Sequence, residues 1–253
     1  STLGELARHL KVTPGFIPRV LRGLEEKGLV DIRREGVKKI VRLSVASHAQ
    51  NFKLLSDSRP AAKIEGWLSG YAMDLLVATL VRPPKSQISK ETGCSRATLY
   101  NTFRSLTGAS VLFTKISAEV KDSQNMISDP LLKEIVVSYA DNLELNILRG
   151  VKGRNAAAIR IGKHVVLRTD AKEVPSFFTK TGITALAENG LEALLTSYND
   201  FYFNLDKEKR ELSIAESFIH ALLVTTRQYR QDMTVLAIFY AKNRRRLDLR
   251  TLR

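Results

Sequence analysis

The chain repeats itself, and that repetition limits its fold more than any other feature. "ELARHLKVTPGFIPRVLRGLEEKGLV", Glu5 to Val30, and "QISKETGCSRATLYNTFRSL", Gln87 to Leu106, align at an offset of 82 with no gap. Leu6 falls on Ile88, Val12 on Cys94, Thr13 on Ser95, Ile17 on Leu99, Leu21 on Phe103 and Leu24 on Leu106. Apolar or small residues meet their like at nearly every core position, so both stretches must solve the same packing problem.

The spacing predicts how they solve it. In the first copy Leu6 and Leu10 lie one helical turn apart, and Ile17, Val20, Leu21 and Leu24 recur at helical spacing. Thr13 is a good N-cap and Pro14 suits a first helical position. Lys27-Gly28 closes the second helix, since glycine takes a left-handed conformation at little cost. "GLVDIRREGVKKIVRLS" then reads as two strands around Arg34-Glu35-Gly36. In the second copy Gly93 makes the turn, Ser95 caps the second helix, and Cys94 is a small core residue of the turn. "GWLSGYAMDLLVATLVRPP" supplies a preceding helix ending at Pro83-Pro84, and "VLFTKISAEVKDSQNMIS" is a second, less basic hairpin.

Helix, turn, helix and basic hairpin is the order of a winged helix. Residues Thr2 to Ser44, with "RVLRGLEEKGLV" as the most specific part, resemble winged-helix regulators of the MarR type. The resemblance implies that the helix starting near Thr13 enters the DNA major groove. Its outward positions are then Thr13, Gly15, Phe16, Arg19 and Arg22, with Arg33, Arg34, Lys38 and Lys39 of the hairpin as phosphate contacts. In the second copy the outward set is Ser95, Arg96, Thr98, Tyr100, Asn101 and Arg104. Asn bonds adenine bidentately, Arg reads guanine, and Tyr reaches phosphate. Two features depart from the pattern. Pro18 lies within the first reading helix, where an interior proline costs ~3 kcal/mol, so that helix starts late or kinks. Gly15 and Phe16 stand where small polar residues are usual. The first helix of such a domain would lie ahead of Thr2 or be supplied by another segment.

The expected fold is mostly α with small β wings: two winged helix-turn-helix domains plus a C-terminal α+β domain. The expected divisions are residues 1–45, a linker at 46–62 ("ASHAQNFKLLSDSRPAAK" is polar, with His48 a solvated loop residue), 63–128 and 129–253. In the last segment "PLLKEIVVSYADNLELNILRG" reads as a helix and "RGVKGRN" as a basic loop that either touches phosphate or covers a turn, the second reading being preferred. "AAAIRIGKHVVLRTD" reads as a hairpin breaking at Gly162-Lys163, "PSFFTKTGITALAENGL" as a helix and "NDFYFNL" as a strand. "SIAESFIHALLVTTRQ" opens with a capping box from Ser213 to Glu216, and "QDMTVLAIFYAKNRRR" is a last helix. "TGITALAENGL", "SIAESFIHALL" and "VLAIFYAKN" weakly resemble the C-terminal domain of AbiEi-type antitoxins, which implies a protein partner.

Composition narrows the function classes. Forty Lys and Arg oppose 26 Asp and Glu, a net charge of +14, and a soluble protein so basic often meets a polyanion. One cysteine allows no disulfide within the chain and no Cys-based metal site. No apolar run reaches ~18 residues, so no transmembrane helix is expected, and Ser1 to Leu10 lacks a signal-peptide core. His9, His48, His164 and His220 stand apart with no metal-ligand spacing. Glu25-Glu26 reads as solvated, and no phosphate-loop, dinucleotide or nucleophile-elbow motif occurs. The expectations are therefore no catalytic residues, no metal and no cofactor; double-stranded DNA as ligand; a homodimer; a possible protein partner through 129–253; and a cytoplasmic, nucleoid-associated protein with no membrane contact. An interaction scaffold with only non-specific DNA affinity is the alternative. RNA-binding signatures are lacking.

Overall fold

The computed structural model describes residues 2–13, 15–60, 62, 64–68, 71–81, 88–89, 92–116, 123–190, 197–228 and 233–247. The chain divides into two compact units, Ser1–Glu144 and Leu145–Arg253.

The first unit opens with α1 (Leu3–Leu10), whose Thr2 and Glu5 form a reciprocal capping box. It ends on Lys11 at φ 53°, a left-handed residue that turns the chain into α2 (Phe16–Glu26). Gly28, at φ 67°, ends α2: Leu29 N–H reaches Leu24 O at 2.8 Å and Gly28 N–H reaches Glu25 O at 2.9 Å. Strands β1 (Val30–Glu35) and β2 (Lys38–Leu43) pair antiparallel around Gly36 and Val37. Ala7, Ile17, Leu21 and Val41 form the small core beneath them. Two local expectations change. Gly15, not Thr13, is the N-cap residue of α2, and no side chain caps it; the Thr13 carbonyl instead accepts from Phe16 N–H at 3.0 Å. The helix starts at Phe16, which puts Pro18 in the first turn, where backbone N–H groups have no partner within the helix and a missing one costs little. Pro14 lies outside the described residues.

Helix α3 (Ser47–Ser58) occupies the stretch expected to be a linker. His48, expected in solvent, is fully buried there. Its Nε2 lies 2.9 Å from Lys27 O, and burial holds its pKa below the usual histidine range. Helices α4 (Ile64–Leu68) and α5 (Tyr71–Thr79) follow; Leu75, Leu76 and Ala78 of α5 are fully buried. Then come α6 (Arg96–Gly108), the antiparallel pair β3 (Leu112–Ile116) and β4 (Ser123–Ile127), and α7 (Pro130–Leu148), in which the unit boundary falls. Pro83-Pro84, Gln87 and residues 117–122 of the second hairpin lie outside the described residues.

The repeat holds at the level of single backbone angles. Lys11 plus 82 is Gly93, at φ 64°, and Gly28 plus 82 is Ser110, at φ 58°. The bonds that end α2 recur at the end of α6: Val111 N–H to Leu106 O at 3.0 Å and Ser110 N–H to Thr107 O at 2.9 Å. Hairpin closure recurs as well, Ser44 N–H to Leu29 O and Ser128 N–H to Val111 O. The second hairpin is two residues longer, since 44 − 29 is 15 and 128 − 111 is 17.

The second unit carries strands β5 (Ala156–Ile161), β6 (His164–Thr169), β7 (Thr179–Lys180) and β8 (Asn199–Asn204). They form one antiparallel sheet in the order β5-β6-β8-β7. Helices α8 (Gly182–Glu188), α9 (Ile214–Gln228) and α10 (Met233–Asn243) pack together through Ile183, Leu186, Phe218, Leu236 and Phe239. Register sorts the two central strands into two faces. Val166, Arg168, Asp200 and Tyr202 share one, which α9 covers with Val224. Phe201 and Phe203 share the other, where Phe178 stacks on Phe203 at 4.5 Å. Both middle strands are buried on both faces, which explains their continuous apolar runs.

This sheet corrects the expected fold class. The chain is about 53% helical with 18% strand, a mixed α/β protein rather than a mostly α one with small β wings. The expected helix over "PSFFTKTGITALAENGL" also shrinks. Thr179 and Lys180 pair with Tyr202 and Phe201, and Gly182, at φ 55°, sits so close to the Asp200 carboxylate that no Cβ fits. The hairpin breaking at Gly162, the strand at Asn199–Asn204 and the capping box at Ser213 match expectation, the last with Ser213 N–H to Glu216 Oε2 at 2.9 Å and Glu216 N–H to Ser213 Oγ at 3.2 Å.

Candidate nucleic-acid interface

Helix α6 follows from its sequence. Ser95 is extended, and its hydroxyl accepts from Thr98 N–H at 3.1 Å. Leu99, Phe103 and Leu106 then return every three or four residues and go into the core. At 3.6 residues per turn the remaining positions must point outward. Arg96, Tyr100, Asn101 and Arg104 are all exposed, Tyr100 at 66%. Ser95 and Thr98 have another job: their hydroxyls lie 2.9 Å apart, and Thr98 is half-buried. Cys94 is buried, 3.1 Å from Thr92 Oγ1.

Helix α2 is built the same way. Ile17 and Leu21 face inward, and Arg19 and Arg22 point away from the core. The offset of 82 puts Arg19 on Asn101 and Arg22 on Arg104, so the first copy carries two arginines and the second an asparagine and an arginine at the same places on the outward face. Thr13 and Gly15 are exposed at its start. Phe16 (53%) and Val20 (38%) are exposed beside the arginines, where α6 has Thr98 and Thr102.

The first hairpin displays Arg33, Arg34, Lys38 and Lys39, all exposed. Arg34 stands directly opposite Lys39, and directly opposed like charges weaken a strand pair. A fold gains nothing from that placement, whereas a polyanion laid against it does. Arg33 lies opposite Ile40 and so faces the other way, which spreads the four cations around the tip. Sequence reading passed over Arg42, which meets Glu35 at 3.1 Å and tempers the charge at the base of the hairpin.

The histidines of the second unit fall into a cluster that the sequence did not announce. His164 Nδ1 lies 2.7 Å from Tyr202 Oη, and Tyr202 stacks on His220 at 5.5 Å. His220 Nδ1 lies 2.8 Å from Thr181 Oγ1. Burial holds His220 down to about 4 and lowers His164 as well, so both rings stay neutral near pH 7. The loop Arg149–Asn155 covers a turn: Arg154 and Asn155 both donate backbone N–H groups to Asp170 Oδ1, at 2.9 and 3.1 Å. Among the described residues no His, Cys, Asp and Glu group is arranged to hold a metal ion, and no helix is long and apolar enough to cross a membrane.

No family model, curated protein or solved structure matches this chain.

Proposed function

We propose that the chain is a sequence-specific double-stranded DNA-binding transcriptional regulator. The observation that carries this reading is the twofold occurrence of one helix-turn-helix and hairpin, each with an outward cationic helix face. Arg104 and Asn101 sit in the second copy where Arg22 and Arg19 sit in the first. Asn and Arg supply hydrogen bonds to base edges, and the hairpin cations supply phosphate contacts that fix the register. A net charge of +14 speeds encounter with a polyanion.

Selection from random duplexes tests this. Arg19, Arg22, Arg33, Arg34, Lys38, Lys39, Arg96 and Arg104 are eight cations. If all meet phosphate, log affinity falls against log salt with a slope of about −7. An enriched motif with a steep slope supports the reading; no enriched motif refutes it. Exposed Phe16 and Val20 favour a second reading, in which α2 docks a protein and DNA affinity is non-specific. Replacing Arg96, Asn101 and Arg104 together separates the two: the first reading expects sequence preference to vanish, the second expects DNA affinity to fall only slightly.

A further inference from the structure

The two copies are arranged about an axis, and the contacts between them reveal which kind. Helices α3 and α7 are counterparts, because each follows the hairpin closure described above. They run antiparallel against each other. His48 meets Ser138 at 3.5 Å and Tyr139 edge-on at 5.9 Å, Asn51 Nδ2 donates to Glu134 Oε2 at 3.3 Å, and Arg59 pairs with Asp129. Numbers rise along one helix as they fall along the other. The far contacts are exchanged as well. Asn142 of α7 packs against Gly28, the residue that ends α2. Arg59, at the end of α3, lines a cleft of about 500 Å³ with Ser105 and Ala109, at the end of α6. Each copy thus sends its last helix to the end of the other's reading helix. A one-way tandem array cannot do this, but a two-fold rotation does.

We infer that Ser1–Glu144 is an internal pseudo-dimer, so that one chain reads two inverted half-elements of one duplex without a second copy. This rests on the DNA-reading role proposed above. A two-fold rotation leaves directions along its own axis unchanged, so whatever tilt the face of α2 has toward that axis, the face of α6 shares. The half-elements differ, because Arg19 and Arg22 beside Phe16 do not read what Arg96, Tyr100, Asn101 and Arg104 read. The site is then an imperfect inverted repeat with a defined polarity. The homodimer expected from sequence is not needed to obtain two reading helices.

Selection from random duplexes with the full chain and with two double variants tests the inference, with native mass spectrometry on the recovered site. One variant is Arg19→Ala with Arg22→Ala, the other Asn101→Ala with Arg104→Ala; all four side chains are exposed. The expected complex holds one 28.3 kDa chain per duplex. Each variant loses base preference in a different half-element and binds about 10- to 100-fold more weakly. Inserting about 5 bp between the halves, half a helical turn, lowers affinity to that of a single half. Two chains per duplex, one variant erasing both halves, or half-elements in direct orientation would overturn the pseudo-dimer and leave the regulator reading standing. No recovered sequence would overturn both.

Discussion

Acid should loosen the second unit through His220. In the folded chain its imidazole is held down to about 4, chiefly by burial, with His164 and Arg210 adding to the effect and Glu216 opposing it. In the unfolded chain it titrates near 6.5. Between those values the unfolded state binds a proton that the folded state refuses, so stability rises with pH across this window and falls on acidification. From pH 7 to pH 5 the unfolded ring gains roughly three quarters of a proton and the folded ring about a tenth of one. The loss is about 2 kcal/mol, approaching roughly 3 kcal/mol near pH 4. His164, lowered by its own burial, acts in the same direction. Amide hydrogen exchange of β6 and β8, corrected for intrinsic rates, should show opening about 30-fold more frequent at pH 5 than at pH 7. His220→Phe keeps a ring over Tyr202 but cannot titrate, so its exchange should lose most of that pH slope. At pH 7 it costs about 1 kcal/mol for the Thr181 hydroxyl left without its partner. A His220 ring proton signal titrating near 6.5, or protection unchanged between pH 7 and 5, would refute the reasoning.

Four further outcomes follow from the packing. Gly28→Ala puts a Cβ at φ 67° only 2.7 Å from Asn142 Oδ1 and should cost about 2 kcal/mol in chemical denaturation. Ser110→Gly, at the equivalent position, should stabilise by a few tenths to about 1 kcal/mol. Phe103→Ala should cost about 3–5 kcal/mol, whereas Tyr100→Ala on the opposite side of α6 should change stability by less than about 0.5 kcal/mol and weaken DNA binding instead. Asp200→Asn should cost about 3–5 kcal/mol in thermal or denaturant unfolding, because it removes the buried carboxylate charge that faces the Arg168 guanidinium.

The features legible in the sequence were those settled within about 30 residues. The two helix-turn-helix stretches, the hairpin at Gly36 and the Ser213 capping box each rest on neighbours along the chain. So do the outward faces of α2 and α6, since a period of 3.6 with apolar residues on one side leaves little choice for the other. What escaped was settled by distant partners. The stretch around His48 is polar and only weakly amphipathic, and it is buried because α7 arrives 90 residues later at Ser138. Strand β7 is two residues long and exists only because β8 offers it an edge. The hydroxyl of Thr13 was a plausible cap, but a turn closed by its own carbonyl moved the helix start to Phe16. The antiparallel seam of α3 and α7 has no local signature: the first stretch reads by itself as a polar linker and the second as a helix with no stated partner.

The strand order β5-β6-β8-β7 sets a timetable for synthesis. The β5-β6 hairpin emerges from the ribosome with the apolar edge of β6 unpaired. Its partner β8 begins at Asn199, 30 residues after Thr169. At roughly 5–20 residues per second that edge waits about 2–6 s. Strand β7 emerges earlier than β8, yet pairs only with it, so it must remain undocked until β8 slots between it and β6. During this interval the nascent chain presents Val165, Val166 and Leu167 to any other strand, so neighbouring chains on a polysome compete with β8 for that edge.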